Sequence, residues 1–132
     1  MLYKIIYSSE QTRPILKQDL SEIIASAVRN NQKYDITGCL LFHKPYFAQV
    51  LEGDTKKLTE LIDVLRVDTR HKNIKVSSLI AINQRTFGDW HMTLASKDPL
   101  STEFLRVNLG LDTFDPSKIK DEDLFELIKK VK

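Results

Sequence analysis

The chain has 132 residues, 42% apolar and 29% charged, the proportions of an ordinary globular domain long enough for a real core. Twenty basic against eighteen acidic side chains leave a formal charge of +2, too small to indicate nucleic acid by electrostatics alone. No apolar run approaches membrane length, and no basic-then-apolar leader opens the sequence, so the cytoplasm is the expected location.

Residues 2–9 read as a first strand. Side chains alternate along it, putting Tyr3, Ile5 and Tyr7 on one face and Leu2, Lys4, Ile6 and Ser8 on the other. A polar connection runs to Pro14, which suits the approach to a helix. Leu16, Leu20, Ile23, Ile24, Ala27 and Val28 then recur at helical spacing, one apolar stripe. Residues 29–35 end that helix, with Asn suited to its C-terminus.

Residues 36–43 and 46–53 read as two strands joined by a turn at Lys44-Pro45, bounded by Gly38 and Gly53. Phe47, Gln49 and Leu51 share one face of the second, and Ala48 and Val50 the other. Gln49 is therefore an amide between two large apolar neighbours. Leaving it unpaired costs about 1–3 kcal/mol, so it needs partners. Cys39, the single cysteine, cannot form an internal disulfide and reads as a small core residue.

Asp54-Thr55 can cap a second helix, where Leu58, Leu61, Ile62 and Leu65 form the stripe. A polar loop follows at 68–73. Residues 74–82 are expected as a fourth strand, 83–89 as a turn, and Trp90, Met92 and Leu94 as one face of a fifth strand. The order βαββαββ gives an α+β fold, a ferredoxin-like mixed sheet with both helices on one face. In this reading strands one and three lie adjacent and parallel, which brings Tyr7 close to Gln49.

Asp98-Pro99 breaks the pattern. A short helix over 101–109 stops at Gly110, and a last helix over 121–131 carries Leu124, Leu127, Ile128 and Val131 on one stripe. The bare face of the sheet needs a cover, and this tail supplies it. The expected division is a core over 1–97 and a helical cap over 98–132.

His43, His71 and His91 have no metal-ligand spacing. No glycine-rich nucleotide loop occurs, and Ser8-Ser9 lacks a nucleophile elbow. The strand aromatics show no RNA-stacking pattern. Taken singly, Tyr7 reads as a core tyrosine, Gln49 as a structural amide, Asn31 as a helix end, and Trp90 and Met92 as core filler.

Together they resemble something more specific. Ile6-Tyr7-Ser8, Asn31 with Asp35-Ile36-Thr37-Gly38, and residues 47–53 match the pattern of the BLUF family, blue-light sensors that bind a flavin. So do Asp68-Thr69-Arg70-His71 and Arg85-Thr86-Phe87-Gly88-Asp89-Trp90-His91-Met92. The resemblance implies a noncovalent flavin, usually FAD, between the two helices. Val64 and Val67 stand where relatives are often basic, which leaves FMN and riboflavin open.

By the same resemblance, Tyr7, Gln49 and Asn31 form the hydrogen-bond network at the ring, with Gln49 bridging Tyr7 and the flavin. Ile23 and Leu65 sandwich the ring, and Asn30 can reach it. Asp68, Arg70 and His71 approach the ribityl chain and dimethyl side. The implied photochemistry is electron transfer from Tyr7 to the excited flavin, a proton following through Gln49, and a rearranged Gln49 amide that shifts absorption to the red. Met92 is expected on the pocket side and Trp90 as a relay toward the C-terminal segment, although strict alternation would place both on one face. The expected protein is a short, stand-alone photoreceptor without catalysis, signalling through a protein partner or a homo-oligomer and not through nucleic acid or membrane. A flavin-dependent redox enzyme on the same fold is the alternative.

Overall fold

The structure is a computed structural model and describes residues 1–131. Its centre is β1 (Leu2–Gln11), rich in β-branched and aromatic residues and paired along both edges. One edge takes β3 (Tyr46–Asp54), with Tyr7 directly opposite Gln49. Beyond β3 comes β2 (Thr37–His43), its hairpin partner.

β1 and β3 run antiparallel, not parallel as the sequence reading had it. The crossover through helix α1 (Lys17–Lys33) returns the chain in the direction of β1, so β2 is the parallel strand. β3 reverses that direction and inserts between the two. It is therefore antiparallel to both neighbours, and the expected closeness of Tyr7 and Gln49 survives the change of direction.

Helix α2 (Thr55–Arg66) starts where the Asp54 side chain accepts the Lys56 N–H, as the sequence indicated. The next strand divides into β4 (His71–Val76) and β5 (Ile80–Ala81), both on the free edge of β1. Ser77 explains the break in the expected single strand. Its hydroxyl accepts the Ile6 N–H at 2.9 Å while its own N–H bonds the Ile6 carbonyl at 2.9 Å. A side chain thus replaces one rung of the backbone ladder, and the chain leaves the sheet for three residues.

The expected fifth strand is also shorter. Only Thr93–Leu94 forms β6, parallel to β2, which makes the sheet mixed. Residues 90–92 are held instead at separate points: Gly38 N–H on the Trp90 carbonyl at 3.1 Å, and Asn31 Nδ2 on the His91 carbonyl at 2.7 Å. Without strand alternation, Trp90 and Met92 do not share a face. Trp90 is 39% exposed and Met92 only 7%.

The sheet separates two apolar layers. On one face Ile5, Tyr7, Leu40, Phe47 and Leu51 meet the stripes of α1 and α2. On the other, Ile6, Cys39, Leu41, Ala48 and Val50 meet the C-terminal segment. That segment comprises α3 (Thr102–Leu109), ended by Gly110 in the left-handed conformation (φ 68°), a 3₁₀ turn at Pro116–Lys118, and α4 (Asp121–Val131). Leu124, Leu127, Ile128 and Val131 are all buried. Each contributes about 1.5–3 kcal/mol on leaving water, so covering the sheet is what holds α4 in place. Among the described residues no helix is long and apolar enough to cross a membrane.

Candidate functional site

The cleft between α1, α2 and β3 gathers nine of the ten cofactor-binding candidates. Ile23, Asn30 and Asn31 line it from α1, Gln49 from β3 and Leu65 from α2. Asp68, Arg70 and His71 close one end, and Met92 the other wall. The tenth, Tyr7, is on the same sheet face, opposite Gln49, but is packed over completely and has no exposed surface. Trp90 does not line the cleft.

The helical pattern carries this result. Ile23, Ser26, Ala27 and Asn30 follow one another at i, i+3, i+4 and i+7, and Leu61, Val64, Leu65 and Asp68 do the same on and just beyond α2. Ser26, Ala27, Leu61 and Val64 were not among the expected site residues. Extending the helical spacing from Ile23 and Leu65 would have found them. Leu40, Phe47 and Leu51 supply an apolar floor, on the strand face that alternation had assigned to Gln49.

Asn31 sits in the last turn of α1, not after it. It is 2% exposed, and its carbonyl takes the N–H groups of Tyr34 and Ile36. The chain then turns through Asp35, whose φ of 55° is left-handed, a conformation that Asp tolerates better than most residues. That turn aims Asn31 at the cleft and frees its side-chain NH₂ to hold the His91 carbonyl.

His71 organises the polar end. Its Nε2 lies 2.6 Å from the Leu65 carbonyl, which can only accept, so Nε2 carries a proton. In the neutral ring this leaves Nδ1 to accept from Tyr7 Oη at 3.0 Å or Ser9 Oγ at 2.9 Å. Burial pushes the Tyr7 hydroxyl up to about 12, with Ser9 pulling modestly the other way. Tyr7 therefore keeps its proton throughout the neutral range. Asp68 meets the Arg70 guanidinium in a forked pair (2.6–3.1 Å), which holds the Asp68 carboxyl below its ordinary range.

Gln49 is 9% exposed and faces the cleft. The Tyr7 hydroxyl is on His71, not on Gln49, and among the described residues no side-chain partner satisfies the Gln49 amide. Such an amide, set in a slot with aliphatic walls at Ile23 and Leu65, fits a flat heteroaromatic ring with a polar edge. A flavin is such a group.

Comparison with known proteins gives the same answer. The family model described as BLUF, "Sensors of blue-light using FAD", matches residues 2–93. Photoactivated adenylate cyclase subunit beta of Euglena longa, and that of Euglena gracilis, are each 30% identical over 128 residues, 89% of this chain. The chain spans only 15% of the length of either relative. Among solved structures, BlsA in its photo-activated state matches with a TM-score of 0.85 at 27% identity, covering 99% of this chain and 94% of that one. BlrB, described as a BLUF protein in its dark state, matches with a TM-score of 0.79 at 29% identity, covering 98% and 94%.

Proposed function

We propose that this chain, which belongs to the BLUF family and is a flavin-binding blue-light photoreceptor, senses light through the amide of Gln49 and is read out by another protein or another copy of itself. The observation that carries the reading is the Gln49 side chain, a nearly buried amide that lines the cleft directly across the ladder from Tyr7. FAD is the flavin we assign. When bound, it supplies the chromophore and an electron acceptor.

The residues present suit the remaining tasks. Ile23 and Leu65 hold a flat ring from either helix and keep water from its faces. Asn31 and Asn30 offer amide donors and acceptors at the α1 wall, and the Arg70–Asp68 pair sits at the more polar end for the ribityl side. Tyr7 keeps its hydroxyl protonated and within reach of the β3 strand. Gln49 can exchange the positions of its oxygen and NH₂ with almost no change in shape, while donor and acceptor roles reverse. That reversal is a two-state element, and a new hydrogen bond to the ring edge is its optical signature.

Met92, on the cleft wall, and the half-exposed Trp90 two residues before it carry the change outward. We assign residues 1–97 to sensing and 98–132 to relaying the signal, with no catalysis in either part and a cytoplasmic location. The redox-enzyme alternative gains no support from relatives that are photoactivated or light-regulated cyclases and a BLUF protein.

The test is an absorption spectrum of the flavin-loaded protein in the dark and immediately after blue light. A flavin band that moves as a whole to longer wavelength and returns in the dark supports the amide switch. A flavin that only bleaches, or shows no reversible change, overturns it.

A further inference from the structure

Glu52 is fully buried, yet it lies on the face of β3 opposite Gln49 and away from the cleft, beside Ala48 and Val50. A buried carboxyl group persists only where its oxygens are satisfied, and these are. Oε1 accepts the Thr37 hydroxyl at 2.9 Å and the Phe87 N–H at 2.9 Å, and Oε2 accepts the Thr86 N–H at 2.6 Å. Arg85 completes the clasp, donating to the Glu52 carbonyl at 3.1 Å, to Thr37 Oγ1 at 2.8 Å and to the Asp35 carbonyl at 2.8 Å. Three successive residues, 85–87, are thereby fixed to the end of β3 and the start of β2.

What they fix is a strap between the two layers. Phe87 has no exposed surface and meets Phe125 of α4 edge-on, ring centres 6.5 Å apart. Lys4, the cross-strand neighbour of Glu52, places its ammonium 3.2 Å from the centre of the same Phe125 ring. Farther along the strap, His91 hangs by its carbonyl from the side chain of Asn31, and Met92 lines the cleft. Residues 85–92 thus begin in the α4 layer and end in the Gln49 layer.

We propose that Glu52 is a positioning residue for signalling: by clamping residues 86 and 87 to β3, it makes movement at the cleft appear at Phe87 and hence at α4. This rests on the photoreceptor reading above. A strap secured only at Met92 and Asn31 would absorb a small displacement along its length. Secured also at Glu52, it repacks as a unit with the sheet, because tightly packed contacts shift between discrete arrangements rather than stretch.

The test uses the full flavin-loaded chain and two readouts, the light-induced red shift and amide hydrogen exchange across residues 121–131 in darkness and under blue light. Glu52→Gln keeps the volume but sets an NH₂ against the N–H of residue 86 or 87 in either orientation. The expected result is an unchanged red shift with the light–dark difference in α4 exchange reduced about fivefold or more, the lower end of a working coupling. Phe87→Leu, which leaves the carboxyl clasp in place and removes the ring contact, is expected to do the same and decides the matter if Glu52→Gln fails to fold. Full retention of the α4 difference in the folded variant overturns the proposal, as does wild-type α4 exchange that ignores light. Loss of the red shift in Glu52→Gln would place Glu52 in the photochemistry and also overturn it. Absence of a red shift in the wild type would overturn the photoreceptor reading itself.

Discussion

Tyr7→Phe separates the structural from the photochemical role of one hydroxyl. The ring stays buried at the centre of the floor, so its packing is preserved. The hydroxyl's bond to His71 is lost, while Ser9 Oγ at 2.9 Å and the Leu65 carbonyl at 2.6 Å still hold both ring nitrogens. The cost at neutral pH is about 1 kcal/mol, that of one neutral hydrogen bond. Alkaline pH adds a second, larger signal of opposite sense. The phenol ionises at 10.0 when unconstrained and at about 12 in the fold, so the folded state retains a proton that the unfolded chain gives up.

That contribution is complete below pH 10 and drains away as pH rises through 12. At about 1.4 kcal/mol per pH unit it amounts to about 3 kcal/mol in the wild type, and Phe at this position has none to lose. Urea unfolding at pH 7 and at successive steps above pH 10 measures both effects. The variant is expected to be weaker at pH 7 and to lose less stability than wild type at the alkaline end. It is also expected to bind flavin and show no reversible red shift. A normal red shift in Tyr7→Phe would refute the donor role, and parallel alkaline curves would refute the buried-phenol reasoning.

Gln49→Leu fills the same slot without an amide; it is expected to retain flavin and lose the red shift, and an unchanged shift in light–dark spectra would reject Gln49 as the switch. Asn31→Ala strips the His91 carbonyl of its partner, which costs about 1–3 kcal/mol and is expected to weaken flavin retention on gel filtration. Gly38→Ala would drive a Cβ into the Val50 carbonyl oxygen across the β2–β3 ladder; backbone meets backbone there, so a loss of about 3 kcal/mol in urea melts is expected. Asp68 is held below its ordinary range chiefly by Arg70, so its contribution is present above pH 3.8 and lost as pH falls through the lowered value. Asp68→Asn should flatten that acid limb slightly, by about 1 kcal/mol or less for so accessible a pair.

The local elements were written into the sequence. Alternation along residues 2–9 and 46–53 and the helical stripes of α1, α2 and α4 required no tertiary information, because burial of one face dictates the period. The family resemblance, not spacing, singled out Ile23, Asn30 and Asn31 on α1 and Leu65 and Asp68 on and beyond α2; spacing adds that Ile23 shares a helix face with Asn30, and Leu65 with Asp68. The binding motif was legible only as a family resemblance, since Tyr7 within β1 and Gln49 within β3 carry no mark in the periodicity that separates them from ordinary strand residues.

Whatever depended on how elements meet was decided only in three dimensions. The direction of β3 followed from its insertion between β1 and β2, not from its own residues. The break after β4 came from the Ser77 hydroxyl finding Ile6, a pairing between residues far apart in the chain. Trp90 and Met92 parted because residues 90–92 hang from Gly38 and Asn31 instead of lying in a ladder. Glu52 carries no separate signal in the sequence, since nothing local distinguishes a solvated carboxyl group from one that clasps two backbone N–H groups of a distant loop. Periodicity records which way a side chain points; what it meets there depends on contacts that the fold alone brings together.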